Sequence, residues 1–111
     1  MADFNQLQDE LKGALLKLGS SEWGAFRDAA AKDAEAFLNQ SKADVERWAQ
    51  MLQSKQLSED EFKWLLQSKK DLAQMEALKL AGLSKEALDG FSNDLVNTLA
   101  TVLPRWAAGK G

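Results

Sequence analysis

The chain contains no cysteine, no histidine and no tyrosine, and these absences exclude several classes of function. Without cysteine there is no disulfide scaffold, no thiol chemistry and no cysteine-ligated metal. Without histidine the commonest general base and the commonest transition-metal ligand are missing. No nucleotide-binding loop or EF-hand loop replaces them. We therefore expect no catalytic residues, no metal and no cofactor, so the sequence favours a protein that is not an enzyme.

Long apolar runs and prolines are also scarce. No window approaches the roughly 20 apolar residues of a membrane span. The first residues lack the basic start and apolar core of a signal peptide. Pro104 is the only proline, and no low-complexity linker divides the 111 residues. We expect a cytoplasmic protein with one domain, residues 1–111, and a frayed tail from about residue 104.

Acidic and basic residues nearly balance, with 17 against 14 and a net charge of −3. A nucleic-acid-binding surface normally needs concentrated positive charge, so nucleic acid is disfavoured as a partner. Lys69 and Lys70 form an adjacent basic pair, but Asp71 and Glu76 lie nearby in the sequence. A basic run this short also disfavours an anionic lipid surface.

The longest pattern in the chain is an apolar stripe with helical spacing between residues 23 and 52. Its members are Trp23, Phe26, Ala30, Ala34, Phe37, Val45, Trp48 and Leu52, with Ser41 as the one polar position. This spacing predicts a helix from about residue 21 to about residue 55, roughly 50 Å long. Ser41 and Asp44 resemble a helix start, so a break near Asn39 is the alternative.

Shorter helices flank this stripe. The first should cover about residues 4–18 and close at Gly19. The third should begin at Ser58, whose capping box with Glu61 is the sharpest local signal, and run to about residue 81 before Gly82. The fourth should follow Ser84 and end or kink at Pro104. These elements predict an all-α, antiparallel bundle of four helices, or five if the second breaks near Asn39, with one long central helix.

The third predicted helix is apolar on two faces. Phe62, Leu66, Ala73 and Leu80 share the face that we expect to point into the core. A second arc is formed by Trp64, Leu65, Ser68, Leu72 and Met75. A helix with two apolar faces either packs on two neighbours in its own chain or is shared with a partner. Because Trp and Met are enriched in interface cores, we assign these five residues as the candidate partner-binding site.

Two functional hypotheses follow from this helix. The first is a non-catalytic binding or assembly module that acts through protein–protein contacts, with a homodimer as its simplest form. The alternative is an amphipathic carrier or surface-binding protein for lipid or another apolar ligand. The carrier ranks second, because surface-seeking helices are usually rich in Lys and Arg opposite the apolar face, whereas these polar faces carry as much acid as base.

Overall fold

The regular elements of the computed structural model, which describes residues 4–18, 22–70 and 73–108, are all helical. They are α1 Phe4–Leu16, a 3₁₀ segment Glu22–Phe26, α2 Arg27–Gln40, α3 Lys42–Gln53, α4 Glu59–Ser68, α5 Glu76–Leu80 and α6 Lys85–Ala108. The predicted all-α helical bundle is confirmed. Its six described α-helices exceed the predicted four or five, because two of the predicted helices are interrupted.

The central element is α6, not the helix predicted around residues 21–55. α6 is the longest helix, with 24 residues, and contacts α1, α3, α4 and the 3₁₀ segment. Its buried side chains recur at helical spacing and include Phe91, Leu95, Leu99, Val102 and Leu103. α5 packs on α2 instead. The long central helix of the prediction is therefore present, but at a different place in the chain.

The predicted helix from 21 to 55 is broken at Ser41, so the continuous 50 Å element is wrong. Ser41 has φ −100° and ψ 10°, although its amide still donates to the carbonyl of Phe37 and its carbonyl accepts from the amide of Val45. The longest dimension of the whole molecule is 42 Å. The break lets α2 pack on α1 and α5 while α3 packs on α6 and α4. The two halves of one apolar stripe thus reach different neighbours.

Most of the predicted stripe lies in the core, including Phe37 and Trp48. Phe26 is the exception, with 37 % of its surface exposed. It is the last residue of the 3₁₀ segment, where three residues complete a turn instead of 3.6, so it leaves the line of the stripe. Trp23, in the same segment, is fixed to α6: its indole Nε1 donates to Asp94 Oδ2 at 2.8 Å.

The C-terminal helix continues through Pro104 to Ala108, so the prediction that it ends at the proline is wrong. Trp106 and Ala107 follow the proline within α6 and are buried, so residues 104–108 are not a frayed tail. Proline removes one backbone hydrogen bond, but the burial of the next turn offsets this cost. Residues 109–111 and the predicted helix end at Gly19 lie outside the described residues. None of the described helices is long and apolar enough to cross a membrane.

Candidate functional site

The start of α4 is fixed by the capping box predicted from the sequence. The hydroxyl of Ser58 accepts from the amide of Glu61 at 3.1 Å, and the Glu61 carboxylate accepts from the amide of Ser58 at 3.1 Å. Both hydrogen bonds lower the pKa of the Glu61 carboxyl below its usual value, and the bond from the Ser58 backbone amide has the larger effect. Glu59 and Asp60 complete an acidic first turn, which complements the positive end of the helix dipole.

α4 has one buried face and one exposed face. Phe62 and Leu66 are completely buried, and the Phe62 ring meets Trp48 edge-on with 6.0 Å between ring centroids. On the other side, 68 % of the Trp64 surface is exposed. The chain has four tryptophans, and Trp23, Trp48 and Trp106 are all buried. Trp64 is therefore the one tryptophan that the fold leaves in water.

The structure brings together only part of the predicted binding arc. Trp64, Leu65 and Ser68 lie on α4, where Leu65 is half-buried against the core and the Ser68 hydroxyl donates to the Leu65 carbonyl at 2.6 Å. Met75 lies beyond α4, immediately before α5, and packs partly against the core. Leu72 lies outside the described residues. The prediction that one helical face joins all five residues is therefore wrong. The binding role of the residues on α4 stays a prediction.

The interruption between α4 and α5 also reverses a core assignment. Leu80, predicted to face the core with Phe62 and Leu66, is 90 % exposed, whereas Leu78 is completely buried. α4 ends at Ser68, and Met75 adopts a left-handed conformation with φ 56°. The helical phase restarts after this residue, so positions counted from Phe62 no longer predict the buried face. Ala73 is buried as predicted.

A residue that the sequence reasoning missed explains why a separate α5 forms. Asp33 on α2 is buried, and its two carboxylate oxygens accept from the amides of Ala77 and Leu78 at 3.0 and 2.9 Å. These amides belong to the first turn of α5, where no intrahelical acceptor is available. Met75 provides no side-chain cap. Asp33 therefore performs the capping function from 44 residues away, and no local signal in the sequence reveals it.

A cavity of about 590 Å³ lies at the end of the molecule where α6 finishes, which we call the end cavity. Its apolar lining comes from Leu52, Leu57, Pro104, Ala107 and Ala108, and its polar edge includes Lys55, Ser58, Glu59 and Glu61. Lys55 occupies a left-handed position with φ 63°, and the Gln56 amide closes α3 by donating to the Met51 carbonyl at 2.8 Å. These backbone features shape the wall of the end cavity between α3 and α4.

The groups that Trp64, the end cavity and the start of α4 present are apolar area, hydrogen-bond donors and carboxylates. Within residues 4–18, 22–70 and 73–108, no group of three or more acidic residues is arranged to hold a metal ion. At the start of α4, the Glu61 carboxylate accepts from the Ser58 amide, and Glu59 and Asp60 are exposed to solvent. Trp64 offers apolar area and an indole donor, and the end cavity offers an apolar recess with charged edges.

Comparison with known proteins gives no functional guide. No protein family matches this chain, and neither a curated protein nor a solved structure matches it.

Proposed function

We propose that this protein is a non-catalytic binding module that recognises a protein partner through the exposed face of α4. The observation that carries the proposal is the exposure of Trp64 on a helix whose opposite face is completely buried. Exposed large aromatic side chains are unfavourable in water, and tryptophan is strongly enriched among the residues that dominate binding energy. A fold that buries three tryptophans and leaves the fourth outside presents it as an anchor.

The surroundings of Trp64 resemble the edge of an interface. At helical spacing, Asp60 and Glu61 lie one turn before it, and Gln67 and Ser68 lie one turn after it; all four are exposed. An apolar centre with a polar rim is the usual anatomy of a protein interface. The acidic residues favour a partner pocket whose edge carries Lys or Arg, because complementary charges raise specificity and association rate.

The first partner to test is a second copy of the chain, and the variant is Trp64→Glu. Because the side chain lies outside the core, we expect the melting temperature to change by no more than a few degrees, whereas association should weaken. Thermal unfolding and sedimentation are measured on the same protein. Gln6→Glu is the matched control, since it adds the same charge at an exposed position on α1, outside the proposed rim, and should leave association nearly unchanged.

Strong destabilisation by Trp64→Glu without any change in association would contradict the recognition face and place Trp64 in the fold. An equal effect of Gln6→Glu would mean that charge, and not the indole, controls association. A wild-type protein that stays monomeric at high concentration would remove the homodimer version. The partner would then have to be a different protein.

The alternative function, a carrier for lipid or another apolar ligand, is supported by the size and lining of the end cavity. Its volume lies within the range of small-molecule sites. Trp64 also provides a reporter, because tryptophan emission shifts when the indole leaves water. Emission that stays unchanged when neutral and anionic vesicles are added would remove the lipid version of this function.

A further inference from the structure

A groove runs between α1 and the second half of α6, and neither Trp64 nor any residue of the end cavity lines it. It consists of two neighbouring recesses of about 550 and 390 Å³, which share Ala14 and Arg105. Along α6 the lining extends from Asp94 to Arg105, a distance of roughly 16 Å in a helix. Both volumes fall in the range of small-molecule sites. We call this surface the side groove.

Apolar surface predominates in the smaller recess, which forms one end of the side groove. Its wall includes Ala14, Leu18, Asn97, Thr98, Thr101 and Val102. Leu18 is 40 % exposed, so its side chain is only partly covered by the fold. Gly13, in the neighbouring recess, leaves α1 bare, because a Cβ atom added there would meet no neighbour within 4 Å. An apolar chain laid along this groove would therefore remove apolar surface from water.

The other end of the side groove carries a net positive charge. Lys17, immediately after α1, and Arg105 on α6 line it, together with the single carboxylate of Glu10. Neither cation forms an ion pair with the residues that the structure describes. Asp94 is the remaining charged residue of the groove, and its carboxylate accepts from the Trp23 indole. It lies roughly 16 Å from Arg105 along α6, beyond the screening length of about 8 Å at physiological salt.

We propose that the side groove binds a single-chain amphiphilic carboxylate, with its alkyl chain along the apolar end and its carboxylate between Lys17 and Arg105. A guanidinium donates two parallel hydrogen bonds to a carboxylate, so Arg105 is the main contact of the head group. The ligand is a free molecule and not a membrane, because binding to an anionic membrane needs a larger basic cluster. This site is separate from the α4 recognition face and goes beyond the function proposed above.

Isothermal titration calorimetry tests the site with sodium decanoate below the concentration at which it forms micelles. Decanoate should saturate a single site. Acetate, which lacks the chain, and decyltrimethylammonium, which reverses the charge, should each bind at least about tenfold more weakly. Arg105→Gln should weaken decanoate binding roughly tenfold, because it removes a charged donor. Arg27→Gln removes the same charge from an exposed position on α2 and is the matched control, with binding unchanged.

The shape of the groove is tested by filling it. Gly13→Leu should weaken decanoate binding at least about tenfold, because the leucine occupies the space of the ligand. The melting temperature should hold or rise, since leucine favours a helix more than glycine does. Ala43→Leu adds the same side chain to an exposed position on α3 and should leave binding unchanged. Glu10→Gln removes the opposing carboxylate and should tighten binding.

Two further variants separate this site from the surfaces described earlier. Ala108→Trp narrows the end cavity, and Trp64→Glu alters the recognition face of α4. Both should bind decanoate like the wild type, so a failure of this proposal and a failure of the proposed function are distinguishable.

Four outcomes would overturn the proposal. The first is the absence of saturable decanoate binding, and the second is equal binding of decyltrimethylammonium. The third is a loss of binding in Ala108→Trp but not in Gly13→Leu, which would place the ligand in the end cavity. The fourth is cosedimentation with phosphatidylglycerol vesicles that Arg105→Gln abolishes, since the groove would then be a membrane contact.

Discussion

Ser41 and Ser58 show how differently one residue type contributes at two helix starts. The Ser58 hydroxyl accepts from the amide of Glu61, whereas Ser41, only 2 % exposed, has a hydroxyl with no hydrogen-bond partner among the described residues. Both serines precede a helix, but only Ser58 satisfies a backbone group there. A buried hydroxyl without a partner costs free energy, whereas a capping hydroxyl stabilises the helix.

We therefore expect opposite results from two serine-to-alanine changes. Ser58→Ala should lower the free energy of unfolding by about 1 kcal/mol, because it removes an N-cap. Ser41→Ala should leave it unchanged or raise it by up to about 1 kcal/mol, because it removes an unsatisfied buried group. Urea unfolding of both variants checks the pair. A loss at position 41 equal to that at 58 would mean that the Ser41 hydroxyl is satisfied in solution.

At the scale of single elements, α5 depends on a side chain from another helix. It has five residues, too short to be stable alone, and its first amides are held by Asp33 on α2. Leu78 anchors the same helix in the core. The position of α5, and of Leu80 at its end, thus depends on one carboxylate and one buried leucine.

Asp33→Ala should open α5 before the rest of the bundle. The amides of Ala77 and Leu78 would lose their acceptors, so their hydrogen exchange should accelerate by at least tenfold, whereas the amides of α6 should change less. Hydrogen exchange followed by mass spectrometry measures both regions. Asp9→Ala, an exposed aspartate on α1, is the matched control and should leave α5 protected. Uniform acceleration across the chain would contradict a local role for Asp33.

The sequence predicts helix starts better than helix ends in this chain, for a physical reason. The start of α4 is encoded within four residues by Ser58 and Glu61, and the Ser84 hydroxyl likewise accepts from the amide of Ala87 at 3.1 Å. No glycine or proline lies between residues 62 and 81 to mark the end of α4. The end of α4 therefore has no local marker, and the restart at α5 is capped by Asp33 through a contact that joins residues 44 positions apart. Periodicity alone cannot contain this information.

Because periodicity carries no information on contacts between distant residues, only part of the candidate site could be predicted from the sequence. Trp64, Leu65 and Ser68 are within one turn of each other, so their common helix was predictable from spacing. Leu80 was placed in the core because the count from Phe62 assumed an uninterrupted helix, and the restart after Met75 turned it outward. The end cavity combines α3, α4 and α6, which no local pattern brings together.

For the whole molecule, the burial of α6 should dominate stability. Phe91 is completely buried and meets the Trp23 ring edge-on, with 5.3 Å between ring centroids. Phe91→Ala should therefore cost about 3–5 kcal/mol, a large part of the total stability of a small domain. Leu80→Ala, at an exposed position, should change stability by no more than about 0.5 kcal/mol.

Chemical unfolding at low protein concentration compares these two variants without interference from association. A Phe91→Ala protein that retains wild-type stability would mean that α6 is not the centre of the core. A large loss from Leu80→Ala under the same conditions would mean that this leucine is buried in the isolated molecule.

The place of α6 in the chain has a consequence for folding during synthesis. α1 is made before the other described helices, yet one of its main packing partners is α6, whose first residue lies 81 positions after Phe4. A ribosome that adds about 5–20 residues per second needs several seconds to make that stretch. During this interval α1, α3 and α4 carry apolar faces that α6 has not yet covered. We therefore expect the nascent chain to depend on chaperones until α6 emerges, and slowing translation just before residue 85 should increase aggregation.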